Sequence, residues 1–225
     1  MKKVFFVLLL VLPFGALAEA ETSVVSVSER YSYAMGARLG ELLKSQGVGQ
    51  IDADAFAAAI DDVMQGRPLR LTAAEMQQAV ADQQKVFAEQ RAQRAEDSLR
   101  AGRDFLAANA RKADVVVLPS GLQYRVIASG DGEKPTAADS VQVHYHGTKI
   151  DGSVFDSSVD RGQPAEFALG GVIPGFREAL LSMRVGDHWQ VFVPSSMAYG
   201  ERGAGASIGP NEALIFDLQL LAIKR

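Results

Sequence analysis

The chain has 225 residues, with 23 Lys and Arg against 27 Asp and Glu, and no cysteine. Its formal charge of −4 argues against nucleic acid or an anionic lipid surface as partner. The missing cysteine excludes disulfides and a lipidated N-terminal cysteine, so stability must come from burial, and the length suffices for two modest domains.

Residues 1–18 have the pattern of a cleaved secretory signal. Lys2 and Lys3 form a basic start, Val4 to Leu12 an apolar run, and Ala16-Leu17-Ala18 an A-x-A cleavage site. The run is shorter than the roughly 20 residues of a spanning helix, the uncleaved anchor being the alternative. Cleavage removes two lysines and no acid, taking the charge from −4 to −6. The expected location is a bacterial periplasm, with association at the outer membrane or cell surface as a variant.

Helical patterning follows. Tyr31, Ala34, Met35, Leu39, Leu42 and Leu43 recur at helical spacing and stop at Gly47. A second helix is predicted from Asp52 as N-cap, through Phe56, Ala59, Ile60, Val63 and Met64, to Gly66. Thr72-Ala73-Ala74-Glu75 has the capping-box pattern that opens a third. No proline interrupts it before Ala110, and about 38 helical residues span roughly 57 Å. Met76, Val80 and Phe87 mark one apolar stripe, and Leu99, Phe105 and Leu106 another. The middle, Glu89 to Asp97, is polar nearly all round. That favours a rigid spacer over one helix of a compact bundle. Two short amphipathic helices bury little alone, so self-association of this part is expected.

From about residue 114 the texture changes. Leu122–Ile127, Ser140–Gly147, Trp189–Val193 and Leu214–Leu220 alternate as strands. One short helix follows Pro174-Gly175, with Phe176, Ala179, Leu180 and Met183 on one face. Antiparallel strands around a single helix define an α+β domain, preceded by an all-α region and a long connecting helix. His144 and His146 share a strand face at a spacing that can suit a metal, but no third ligand stands beside them, and no metal is assigned.

Chemistry concentrates in Phe155-Asp156-Ser157-Ser158, Val172-Ile173-Pro174-Gly175-Phe176 and Ala198-Tyr199-Gly200. These supply apolar walls, one carboxylate and one phenol. No nucleophile–base set accompanies them, which suits bending a peptide bond better than cutting it. With Val143-His144-Tyr145-His146-Gly147, Phe167-x-Leu169-Gly170 and Pro210-Asn211-x-x-Leu214-x-Phe216, they make residues 115–225 resemble the FK506-binding-protein (FKBP) type of peptidyl-prolyl isomerase. The signal, helical region and long helix are similar to the macrophage-infectivity-potentiator (Mip) group of exported bacterial FKBPs.

The resemblance implies a division into signal (1–18), helical dimerisation domain (19–70), connecting helix (71–112) and isomerase domain (113–225). It implies pocket walls at Tyr145, Phe155, Phe167, Val172, Ile173 and Phe216, with Ile208 on an overhanging loop and Phe176 as floor. Tyr199 and the Ile173 N–H would hold substrate carbonyls, and Asp156 would lie beside the twisting one. No cofactor is implied. Implied partners are proline-containing unfolded or partly folded exported proteins, a second copy through the N-terminal helices, and macrolides of the FK506/rapamycin type. The sequence departs from the family pattern at Phe176, where Trp is common, and at Ala165, where small members carry an aromatic ring. A holdase chaperone with vestigial isomerase activity is the alternative function, and a surface adhesion or virulence factor a third.

Overall fold

The structure, a computed structural model, describes residues 26–224, so the expected signal at 1–18 lies outside the described residues. Two compact units divide between Arg67 and Pro68.

The first unit holds α1 (Val27–Ser45) and α2 (Ala53–Met64). Ser26 caps α1 reciprocally. Its Oγ accepts from the Glu29 N–H at 3.1 Å, and Glu29 Oε2 accepts from the Ser26 N–H at 2.7 Å. Asp52 caps α2 by accepting from the Ala55 N–H at 2.9 Å. Gly47 and Gly66 follow the two helices at positive φ, where glycine carries no Cβ penalty. After α2, Arg67 pairs with Asp61 and with the buried Asp62. Tyr31, Met35, Leu42, Ile60, Val63 and Met64 remain largely exposed, so the apolar stripes of both helices face outward.

The second unit opens with α3 (Ala73–Asn109), closed at its start by a Thr72/Glu75 capping box. Its first two-thirds are exposed almost all round, along the Met76 and Val80 stripe as well as in the polar middle. From Ala95 onward the positions 95, 98, 99, 102, 105, 106 and 109 turn inward at helical spacing. Phe105 meets Phe192 at 5.9 Å between ring centroids. The buried Asn109 amide donates to Gln123 Oε1 at 3.0 Å, and the Gln123 amide donates to the Leu106 carbonyl at 3.0 Å. This polar latch fixes the end of α3 on the sheet. Among the described residues no helix is long and apolar enough to cross a membrane.

The sheet is antiparallel. Its strands are β1 (Val116–Val117), β2 (Gln123–Ala128), β3 (Ser140–Lys149), β4 (Val154–Ser157), β5 (Ala165–Ala168), β6 (His188–Val193) and β7 (Leu214–Lys224). The order is β1-β2-β6-β7-β3-β4, with β5 also paired to β3. Four strands are legible in the alternation, and β1, β4 and β5 are additions. Val141, Val143 and Tyr145 of β3, and Leu214, Phe216, Leu218 and Leu220 of β7, point inward onto α4 (Pro174–Ser182). Ala179 and Leu180 fill the space between, both fully buried. The motif at the start of α4 has a mechanical reading. Pro174 occupies the first turn, where its missing N–H costs nothing. A Cβ on Gly175 would lie 2.4 Å from Val193 Cγ1, so only glycine lets α4 approach β6 this closely and drop Phe176 inward.

Candidate active site

At one end of this layer pair lies a cavity of about 240 Å³. β3 contributes Tyr145, β4 Phe155 and Asp156, β5 Phe167, and β7 Phe216. Gly171, Val172 and Ile173 lead into α4, whose Phe176 forms the base, and Tyr199 stands at the mouth. Nine of the ten predicted site residues thus meet in one place. Ile208 does not. Its side chain is 7% exposed and packs into the hydrophobic core, while its loop closes on itself through Ala204. The same core holds Tyr145, Phe176 and Phe216, each as deeply buried, so this packing is compatible with the wall role expected of Ile208.

The base is held by edge contacts. Phe176 lies 5.1 Å from Phe216, 5.8 Å from Phe167 and 6.1 Å from Tyr145, with interplanar angles of 68°, 84° and 83°. Phe155 stands edge-on to Phe216 at 5.6 Å and 86°. Such T-shaped pairs are favoured by the ring quadrupoles and fix each ring beyond simple burial. Gly147 makes room for this set, since a Cβ there would fall 2.5 Å from the Phe155 ring.

The polar groups are few and restrained. Asp156 accepts from the Tyr145 hydroxyl and pairs with Arg161. Arg161 also donates to the Tyr145 oxygen at 2.9 Å and lies 5.6 Å from that ring's centroid. Tyr145, Asp156 and Arg161 therefore form a closed triangle on the cavity rim. Burial pushes the Asp156 carboxyl up, but the hydrogen bonds from Tyr145 and Arg161 outweigh it and hold the group below the ordinary carboxylate value. Burial and the Asp156 partner raise the Tyr145 hydroxyl, and burial followed by the Asp156 charge raises that of Tyr199. At neutral pH the site thus holds one carboxylate and two protonated phenols.

The serines after Asp156 set its position. The fully buried Ser158 Oγ accepts from the Tyr145 N–H at 2.8 Å, and the Ser158 N–H donates to the Tyr145 carbonyl at 2.9 Å, so β4 leaves the sheet at a fixed point. On the outer face His144 Nδ1 lies 3.1 Å from Ser158 Oγ and His146 Nδ1 3.0 Å from Ser157 Oγ. Tyr199 is 39% exposed, and its hydroxyl makes no hydrogen bond among the described residues. Ile173, as N-cap of α4, accepts from the Arg177 N–H at 3.1 Å through its carbonyl. Its own N–H finds no backbone partner among the described residues. Arg161 is the site residue that sequence reasoning missed. The signals were a basic residue five positions after Asp156 and the turn glycine Gly162 behind it, which mark a turn but not that it returns Arg161 to the carboxylate.

An antiparallel sheet wrapped on one helix, with an aromatic cavity at its end, is the setting of the following matches. A family model described as FKBP-type peptidyl-prolyl cis-trans isomerase matches residues 131–221. Another, described as the domain amino terminal to FKBP-type peptidyl-prolyl isomerase, matches residues 28–126. The chain is 43% identical to the peptidyl-prolyl cis-trans isomerase Mip of Coxiella burnetii, over 96% of its own length and 98% of that protein's. It is 43% identical to the outer membrane protein MIP of Legionella longbeachae, over 91% and 89% of the two chains. The crystal structure of FkpA from Escherichia coli aligns with a TM-score of 0.65 at 32% identity, covering 89% of this chain and 98% of that one. The chain belongs to the FKBP-type peptidyl-prolyl cis-trans isomerases. It is an enzyme that speeds rotation about X–Pro peptide bonds.

Proposed function

We propose that this isomerase acts on exported polypeptides and lowers the rotation barrier without forming any covalent bond. The barrier is about 18–20 kcal/mol because amide resonance must be lost on twisting. A planar amide is polarised and well hydrated, whereas a twisted one has lost its resonance. An apolar enclosure therefore disfavours the first relative to the second. The proline ring sits on Phe176, within the walls of Tyr145, Phe155, Phe167, Val172 and Phe216. The Tyr199 hydroxyl and the Ile173 N–H hold carbonyls of the bound segment. Asp156, kept ionised by Tyr145 and Arg161, lies beside the twisting carbonyl and fixes the rim. It is neither nucleophile nor general acid.

The observation that supports this reading most is the combination of a tightly edge-packed aromatic base with three polar side chains, Tyr145, Asp156 and Tyr199, among which there is no nucleophile–base pair. A protease-coupled proline-peptide assay tests it. Tyr199→Phe removes one donor, and kcat/KM is expected to fall by about tenfold, the equivalent of one hydrogen bond in the transition state. Asp156→Ala is expected to fall at least as far. Wild-type protein that suppresses aggregation without accelerating the assay would overturn the mechanism in favour of a holdase.

The setting is part of the proposal. The pattern at 1–18 supports export to a bacterial periplasm or outer surface, and the exposed apolar stripes of α1 and α2 support a homodimer through these helices. Two cavities in one dimer would bind two prolines of the same unfolded client, raising avidity and adding chaperone activity. A macrolide of the FK506/rapamycin type would compete for the same cavity, more weakly for the lack of an indole at Phe176 and of an aromatic ring at Ala165.

A further inference from the structure

Tyr199 begins a loop that returns to the sheet at Leu214. The loop is bonded to itself. The Gly200 carbonyl accepts from the Asn211 N–H at 2.8 Å and from the Gly203 N–H at 3.3 Å, closing the base. Ala204 and Ile208 exchange a pair of bonds at 2.9 and 3.1 Å farther out. Asn211 closes this base at φ 57°, a left-handed conformation that Asn tolerates better than most residues. What these bonds do not do is tie the loop to a rigid element.

The long helix α3 does. Arg91 Nη2 donates to the Arg202 carbonyl at 3.0 Å and reaches the Glu201 carbonyl at 3.4 Å. One turn on, the Ala95 carbonyl accepts from Asn211 Nδ2 at 3.3 Å, using its second lone pair. Two turns further, a Cβ on Gly102 would come within 3.1 Å of Ala213 Cβ, the close approach that glycine permits. Arg91, Ala95 and Gly102 are spaced by four and seven residues, so they lie on one helix face. That face touches the loop near its start, at Arg202, and near its end, at Asn211 and Ala213.

We propose that α3 clamps the loop bearing Tyr199, and that Arg91 is a positioning residue for the isomerase reaction. This rests on Tyr199 acting as the carbonyl donor. The helix is thus more than a spacer: its polar middle carries the guanidinium that caps the short 3-10 turn, Gly200–Arg202, immediately after Tyr199. Arg94 supplies an internal control. It lines the same cleft between α3 and the loop, yet no hydrogen bond or ion pair of its side chain is found among the described residues.

The test compares Arg91→Ala, Arg91→Lys, Asn211→Gly, Arg94→Ala and Tyr199→Phe in the full chain. Readouts are kcat/KM on a proline peptide, amide exchange of the loop, and the thermal midpoint. Asn211→Gly keeps the left-handed backbone and removes only the side-chain bond. Arg91→Ala and Asn211→Gly are expected to lower kcat/KM by about two- to fivefold, the scale of one exposed hydrogen bond. Exchange at Ala204 and Ile208 should quicken while β3 amides stay protected and the midpoint holds. Arg91→Lys should recover part of both losses, and Arg94→Ala should match wild type. Wild-type rates and exchange in both Arg91→Ala and Asn211→Gly overturn the clamp, as does an equal loss in Arg94→Ala. If Tyr199→Phe alone retains full activity, the failure lies in the assignment of Tyr199 instead.

Discussion

Asp156 illustrates how a single carboxylate is kept from doing acid chemistry. Its folded pKa lies below the ordinary value of 3.8 despite burial, because Tyr145 and Arg161 both hydrogen-bond the charged form. Its contribution to stability is therefore present above about pH 4 and lost as pH falls through the folded value. The raised tyrosines work in the opposite sense: whatever their hydroxyl protons contribute persists until pH climbs beyond the ordinary value of 10.0. The isomerase rate should accordingly be level from about pH 5 to pH 9. Arg161→Ala removes one of the groups that hold the Asp156 pKa down and moves it upward, so a pH series on this variant should show its acid limb at higher pH than wild type. An unmoved limb would mean that Arg161 does not hold the carboxylate. The motif residues themselves were legible, because Phe155-Asp156, Val172-Ile173 and Tyr199 occur in a fixed order with distinctive neighbours. Arg161 was not, since its place at the carboxylate depends on how a short loop folds back.

Among the elements, those with strong periodicity declared themselves and the short ones did not. β3 and β7 alternate over ten and eleven residues and bury one face, so their pattern survives reading. β1 has two residues, both exposed, and β5 alternates exposed with half-buried positions over four. Neither buries enough to leave a mark, although β5 brings Phe167 to the cavity. α4 carries the opposite load, with Leu180 at 0% exposure between Phe176 and the sheet. Leu180→Ala removes a fully packed side chain and should destabilise the domain by about 2–5 kcal/mol, read from denaturant unfolding. A loss below half a kcal/mol would mean that the core around α4 is not the domain's main source of stability.

For the whole chain, one unit exposes apolar stripes and the other buries a core, and the two solve the burial problem differently. Nothing within α1 and α2 covers Tyr31, Tyr33, Val63 and Met64. A second copy would. Light scattering on the chain without residues 1–18 should give a dimer, and on a truncation beginning near Val115 a monomer; a monomeric longer protein would remove the self-association proposal. The central claim concerns the cavity and can be read without any coupled protease. Exchange spectroscopy on a proline peptide at equilibrium reports cis–trans rotation directly as cross-peak growth between the two isomers. Wild-type protein at catalytic concentration should bring that exchange into the observable range. The Asp156→Ala, Tyr199→Phe double variant, still folded by its thermal midpoint, should leave the peptide close to its uncatalysed rate. Equal catalysis by the double variant would contradict the account.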